Sequence, residues 1–226
     1  MKCRRSKVLC ALGFATLALA SPAQAHGGSR SVDGVRRQKV IIEVASSTST
    51  TGTLKLIETR DGVSRVMLGP VTARLGRNGV SASHKEGDGT TPLGTFGLTS
   101  AFGTAAKPSS GLGYSRLKAG DCWVSDVTDP KYNSQVSRVP CGAPNEDLYR
   151  IGRAGPYRLA IITDYNMSPV VVGRGSAIFL HVNAVDASGR SRPTSGCVSV
   201  SYGVMKRLLG LLSIDTRPTM TVRIKR

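Results

Sequence analysis

AIFLHVNAVDASGRSRPTSGCVSV, residues 177–200, is the stretch on which the reading of this chain turns. Its first six residues alternate in an extended strand, with Ala177, Phe179 and His181 on one face and Ile178, Leu180 and Val182 on the other. His181 thus ends a strand whose neighbouring side chains are all apolar. The chain then enters DASGRSRPTSG, a loop of turn formers, and returns to an apolar stretch at Cys197, sixteen residues after the histidine. Strand, loop and returning strand can bring His181 and Cys197 side by side, as a general base and a thiol nucleophile require. Ser195 and Gly196 precede the cysteine directly. Gly196 has no side chain to obstruct a substrate and can turn successive amides the same way, which suits an oxyanion site. Two plainer readings stand beside this one: a histidine satisfied by hydrogen bonds at a sheet rim, and an inert core cysteine.

Outward from this stretch the pattern is short and mostly β-type. KVIIEVA (39–45), GTLKLIET (52–59), SRVMLG (64–69), TFGLTS (95–100), YRLAIIT (157–163), PVVVG (169–173), AIFLHV (177–182) and TMTVRIK (219–225) are apolar, largely β-branched runs broken by Gly, Pro, Asn or Asp. One helix is expected, over SYGVMKRLLGLLS (201–213), with Ser201 as its cap and Val204, Leu208 and Leu211 on one face. These elements predict a mainly β single domain, a sandwich or mixed barrel, with one helix following the segment that carries Cys197.

The first residues predict the compartment. MKCRRSK is basic, VLCALGFATLALA is a thirteen-residue apolar run and SPAQA ends in an Ala-x-Ala signal, so residues 1–25 read as a cleaved secretory peptide. Thirteen apolar residues are too few to span a bilayer, which needs about 20, and no later segment reads as an anchor. Residues 26–37, HGGSRSVDGVRR, read as a flexible basic leader, and 38–226 as the folded domain. Cleavage removes Lys2, Arg4, Arg5 and Lys7, lowering the net charge from +17 to +13. It also removes Cys3 and Cys10 and leaves three cysteines, which in an oxidising compartment means one pair and one thiol. Cys122 and Cys141 flank WVSDVTDPKYNSQVSRVP, where a bridge would constrain the unfolded chain by about 3 kcal/mol. Cys197 is then the free thiol.

FLHVN, followed after the histidine by twelve residues and TSGCVS, resembles the signature of the YkuD-type L,D-transpeptidase family. KEGDGTTPLGTFGL (85–98) strengthens the resemblance through its Thr-Pro-x-Gly-x-Phe element. The likeness runs from about Gln38 to Arg226. It implies a β-rich cysteine acyltransferase acting on peptidoglycan stem peptides, with Cys197 as nucleophile and His181 as base. The resemblance also implies that the backbone carbonyl of Val182 orients the ring in place of an acidic side chain, and the nearby Asp186 reads as a solvated loop carboxylate. It also implies that carbapenem-type β-lactams acylate Cys197. Better-known members carry a second histidine before the Gly-Cys pair and an Asn or Arg two residues after it. This chain has Ser195 and Ser199, so it looks like the branch with a T-x-G-C form of the motif.

Pro92, Gly94 and Phe96 are expected to shape a wall of the cleft, and Thr194, Tyr132 and Asn133 to touch substrate, the last two from a lid over residues 125–133. His84 is expected to be exposed, and Glu86 and Asp88 in KEGDG to serve a turn. With no HExxH and no CxxC, neither a metal nor a cofactor is expected. The positive charge suits anionic wall polymers as further partners, while export and an aromatic fraction of 5% argue against nucleic acid. A monomer in the periplasm or cell wall is expected. The alternatives are a hydrolytic L,D-carboxypeptidase or cysteine peptidase, and a non-catalytic basic wall-binding module.

Overall fold

The computed structural model describes residues 36–225. The segments expected to be a signal peptide, 1–25, and a leader, 26–37, lie wholly and almost wholly outside the described residues. The first strand, β1 (Arg37–Val44), is followed by β2 (Thr51–Arg60) and β3 (Val63–Arg74). Asp61 and Gly62 join the last two, both with positive φ, the geometry of a two-residue hairpin turn that Asp-Gly favours. Next come β4 (Val80–Ser81), β5 (Thr91–Pro92), β6 (Gly94–Gly103), β7 (Tyr114–Arg116), β8 (Asp121–Trp123), β9 (Gln135–Ser137) and β10 (Glu146–Asp147). Helix α1 (Leu148–Ala154), β11 (Ala160–Thr163), β12 (Phe179–Val182), β13 (Val198–Val200), α2 (Tyr202–Leu211) and β14 (Thr219–Ile224) complete the order.

The strand order β11-β12-β13-β3-β2-β1-β14-β6 closes on itself because β6 pairs with β14 through its first half and with β11 through its second. The sheet is therefore barrel-like, and β7 adds to the far end of β6. Period-two alternation sorts the wall of this barrel into two faces. Ala101, Ile161, Leu180, Val182, Val198 and Val200 join the aliphatic core with Ile42, Leu54, Leu56 and Met220. Phe102, Ala160, Ile162 and Phe179 point the other way, into a second cluster with Trp123, Leu148, Tyr157 and Cys197. A small sheet, β10-β8-β9, contributes Trp123 to that cluster, α1 contributes Leu148, and the Cys122–Cys141 disulfide ties the segment together.

Seven of the eight expected strand runs form strands. PVVVG does not. The Asn166 side chain accepts from Val171 N and donates to Val171 O and Gly175 O, so the backbone is satisfied within a loop and the three valines stay 42–58% exposed. Helix α2 starts where expected, with the Ser201 hydroxyl accepting from Val204 N, and it buries Met205, Leu208 and Leu209. A second helix, α1, is additional to the one expected. Its seven residues are too short for a periodic signal; Asp147 caps it by accepting from Arg150 N. Among the described residues no helix is long and apolar enough to cross a membrane.

Candidate active site

Strands β12 and β13 run parallel and in register, with Leu180 opposite Val198 and His181 opposite Ser199. Cys197 immediately precedes β13. The alternation that sends Val198 and Val200 into the aliphatic core leaves Cys197 in the outer cluster beside Phe179. His181 lies on that same face, its ring edge-on to Tyr157 at 5.2 Å. Both side chains are buried, Cys197 7% and His181 6% exposed.

His181 Nδ1 lies 2.7 Å from the Val182 carbonyl oxygen. A carbonyl only accepts, so Nδ1 carries the proton and Nε2 keeps its lone pair. Among the described residues no hydrogen bond is made to Nε2. Burial lowers the histidine to about 4, partly opposed by the Val182 contact, so the ring is neutral at physiological pH. The thiol donates to Ala177 O at 3.1 Å and accepts from Phe179 N at 3.3 Å. No hydrogen bond joins Cys197 to His181 in this state. Burial, with the charge of Glu146 adding to it, pushes the thiol well above its ordinary value. The resting pair is thus a neutral imidazole and a protonated thiol.

The loop before the cysteine is braced from both sides. The Cys197 carbonyl accepts from Thr194 Oγ1 at 2.6 Å and Thr91 Oγ1 at 3.3 Å, and Gly196 N donates to Thr194 Oγ1. Ser195 N and Cys197 N find no acceptor among the described residues. Gly196 has φ +156°, and a Cβ there would come within 3.1 Å of Thr90 O and 3.2 Å of Ile178 Cδ1, so only glycine fits without displacement.

A cavity of about 200 Å³ opens on this loop, lined by Arg77, His84, Glu86, Glu146, Ser195, Gly196 and Cys197 among others. Pro92, Gly94 and Phe96 do not line it; Phe96 packs edge-on against Tyr165, and it is their neighbour Thr91 that reaches the cysteine segment. Asn133 is buried with its amide fully engaged, accepting from Trp123 Nε1 and Ala177 N and donating to Tyr165 O and Asn166 O. It therefore holds its loop in place. Tyr132 is buried and donates to Glu86 at 2.6 Å. Thr194, as above, spends its hydroxyl on the loop that carries Cys197. Asp186 binds the amides of Ser188 and Arg190 within its own turn.

His84 is buried, not exposed. Its Nδ1 sits 3.0 Å from Thr90 Oγ1 and Asp88 Oδ1, and its ring packs against Gly175 and Gly196. Asp88 closes the expected turn by accepting from Lys85 N and Thr90 N. Arg77, which donates to Ser195 Oγ at 3.1 Å, and Glu146 were not legible as site residues, for each comes from a segment with no catalytic pattern of its own. Among the described residues, no three His, Cys, Asp or Glu side chains gather so as to hold a metal ion.

The family model of the L,D-transpeptidase catalytic domain, YkuD, matches residues 41–224. No curated protein matches the chain. Among solved structures, the crystal structure of a mutant of the helical cell shape determining protein Pgp2 from Campylobacter jejuni aligns with TM-score 0.45 and 14% identity, over 85% of this chain and 50% of that one. The chain thus spans half the length of that protein. With the match running from within β1 to the end of β14, the chain belongs to the YkuD L,D-transpeptidase catalytic domain family.

Proposed function

We propose that this protein is an exported cysteine acyltransferase of peptidoglycan, acting on stem peptides through a thioester at Cys197. The observation that carries this reading is the pair on one face of β12–β13: a thiol, and a histidine whose Nδ1 proton is committed to the Val182 carbonyl while Nε2 is free to accept. In the proposed reaction the Cys197 side chain turns from Ala177 O as substrate enters, and its proton passes to His181 Nε2. The thiolate attacks a stem-peptide carbonyl, and the amides of Ser195 and Cys197 receive the oxyanion. Collapse expels the amine, which takes the proton from the imidazolium. A second amine, taking the place of the first, attacks the thioester and gives a cross-link. Water in that role gives the carboxypeptidase instead.

Neutral imidazole and protonated thiol suit this order, because the proton need move only when the substrate has displaced water. Incubating the protein with purified stem peptides and identifying products by mass tests the reading. Loss of terminal amino acid with formation of cross-linked dimer is expected, and Cys197→Ala should abolish both. A carbapenem should add once, at Cys197. Labelling at any other residue would contradict the assignment, and a non-catalytic wall-binding module predicts neither product nor adduct.

A further inference from the structure

The mechanism above leaves unused a buried acid that shares the cavity with the thiol. Glu146 donates or accepts through one short contact, 2.5 Å from its Oε2 to the Tyr157 hydroxyl. Tyr157 is held from three sides by edge-on rings, Phe102 at 5.6 Å, Phe179 at 5.7 Å and His181 at 5.2 Å, so its hydroxyl has little freedom to move. The Cys197 sulfur shares the aromatic cluster with Tyr157 and acts electrostatically on that hydroxyl, while its own resting hydrogen bonds go to Ala177 O and Phe179 N. A phenol has one proton and can give it to only one of the two, carboxylate or sulfur.

We propose that Glu146 decides, through Tyr157, whether the Cys197 thiolate has a hydrogen-bond donor: Tyr157 is a catalytic residue and Glu146 its positioning residue. The inference rests on Cys197 being the nucleophile. With Glu146 protonated, the carboxyl O–H donates to Tyr157 Oη, and the phenol O–H is free to point at the sulfur. The S–H bond then breaks to His181 Nε2, leaving the sulfur lone pair facing a donor. With Glu146 ionised, its proton has left through the cavity, the phenol turns to the carboxylate, and the thiolate faces a negative charge instead.

The titratable and charged groups around Glu146 are Tyr157 and Cys197 in the cluster, Arg77, His84 and Glu86 in the cavity lining, and Asp147 and Asp121 on the strands beside it. The last two are bound to the amides of Arg150 and Lys118. Burial, with Glu86 adding, raises Glu146 to about 7, against the pull of the Tyr157 contact, so the switch falls near neutrality.

The test is the rate of iodoacetamide alkylation of Cys197 from pH 5.5 to 9, in the full chain, with Cys197→Ala as blank. In the wild type the rate should rise by clearly less than tenfold per pH unit between about 6.5 and 8, because ionisation of Glu146 opposes the thiolate as it forms. Glu146→Gln, whose amide still donates to Tyr157, should lose that inflection and react about tenfold faster at pH 8.5. Tyr157→Phe should react about tenfold slower at pH 6. A wild-type rate that climbs uniformly tenfold per unit overturns the proposal even if neither variant folds, as do folded variants whose profiles superimpose on the wild type. A Cys197 that never alkylates overturns the nucleophile assignment itself, which is a different failure.

Discussion

The inner and outer faces of the wall formed by β6, β11, β12 and β13 are built from alternate residues of the same strands, yet they bury different chemistry. Inward, the contacts are aliphatic: Ala101, Ile161, Leu180, Val198 and their partners from the rest of the barrel. Outward, the wall meets aromatic rings, a thiol, an imidazole and a carboxylic acid. An aliphatic interior tolerates no ionisable group, whereas an aromatic one supplies rigid walls with hydroxyl handles. Neighbouring residues of one strand therefore serve different purposes, and substitutions should separate them.

The sharpest separation is expected at the outer face. Cys197→Ala should abolish transfer, and His181→Ala should slow it by about 10²- to 10⁴-fold, the usual range for a lost general base. Both should leave the circular dichroism spectrum of the folded protein intact. A His181→Ala variant with wild-type turnover would remove the histidine from the mechanism.

One residue away the effects should reverse. Leu180 is fully buried in the aliphatic core, and Leu180→Ala should cost about 2–5 kcal/mol in denaturant unfolding while the protein that remains folded keeps its turnover. A large rate loss without destabilisation would blur the division between the faces.

The pH dependence of stability sharpens it further. Glu146 titrates higher in the folded chain, about 7, than its ordinary 4.5, so its contribution is fully present below 4.5 and is lost as pH rises through 7. His181 is shifted down from 6.5 to about 4, so its contribution is present above 6.5 and lost as pH falls through 4. Glu146→Gln removes the first and keeps the second. The variant should therefore gain about 3 kcal/mol relative to wild type between pH 4.5 and pH 8, read from urea unfolding at each pH. A difference independent of pH would show that Glu146 titrates normally.

The smallest effect should come from the rim. Ser195 is exposed and, among the described residues, its hydroxyl accepts only from Arg77, so Ser195→Ala should change stability by no more than about 0.5 kcal/mol by thermal melt. A larger loss would make the rim part of the buried face.

What could be read from the chain beforehand follows the same division. The strand alternation around His181, the loop that returns to Cys197 and the cap at Ser201 depend on residues close in sequence, and a local pattern can carry them. The family resemblance strengthened the reading of His181 and Cys197 as base and nucleophile and added the Val182 carbonyl. Glu146, His84 and Arg77 reach the cavity, and Tyr157 the aromatic cluster around Cys197, from segments 40 to 120 residues before the cysteine, so no spacing rule links them to it. Tyr157 was hidden within YRLAIIT, where strand alternation masks a residue that ends up in a 3-10 turn at Pro156–Arg158. PVVVG misled for the opposite reason. Its composition is that of a strand, but Asn166 satisfies its backbone before any neighbour can.

The closure of the barrel also governs when the chain can fold. β14 lies between β1 and β6, pairing Lys39 with Thr219 through to Val44 with Ile224 on one side and Phe96 with Met220 on the other. Until residues 219–224 have emerged during synthesis, β1 and β6 both present unpaired edges. The polypeptide must therefore complete its longest-range pairing last, and topologies with such distant partners fold slowly. A chain emerging residue by residue stays open along that seam until its final strand arrives, which keeps it threadable and makes the seam the place where premature contact with another copy would do harm.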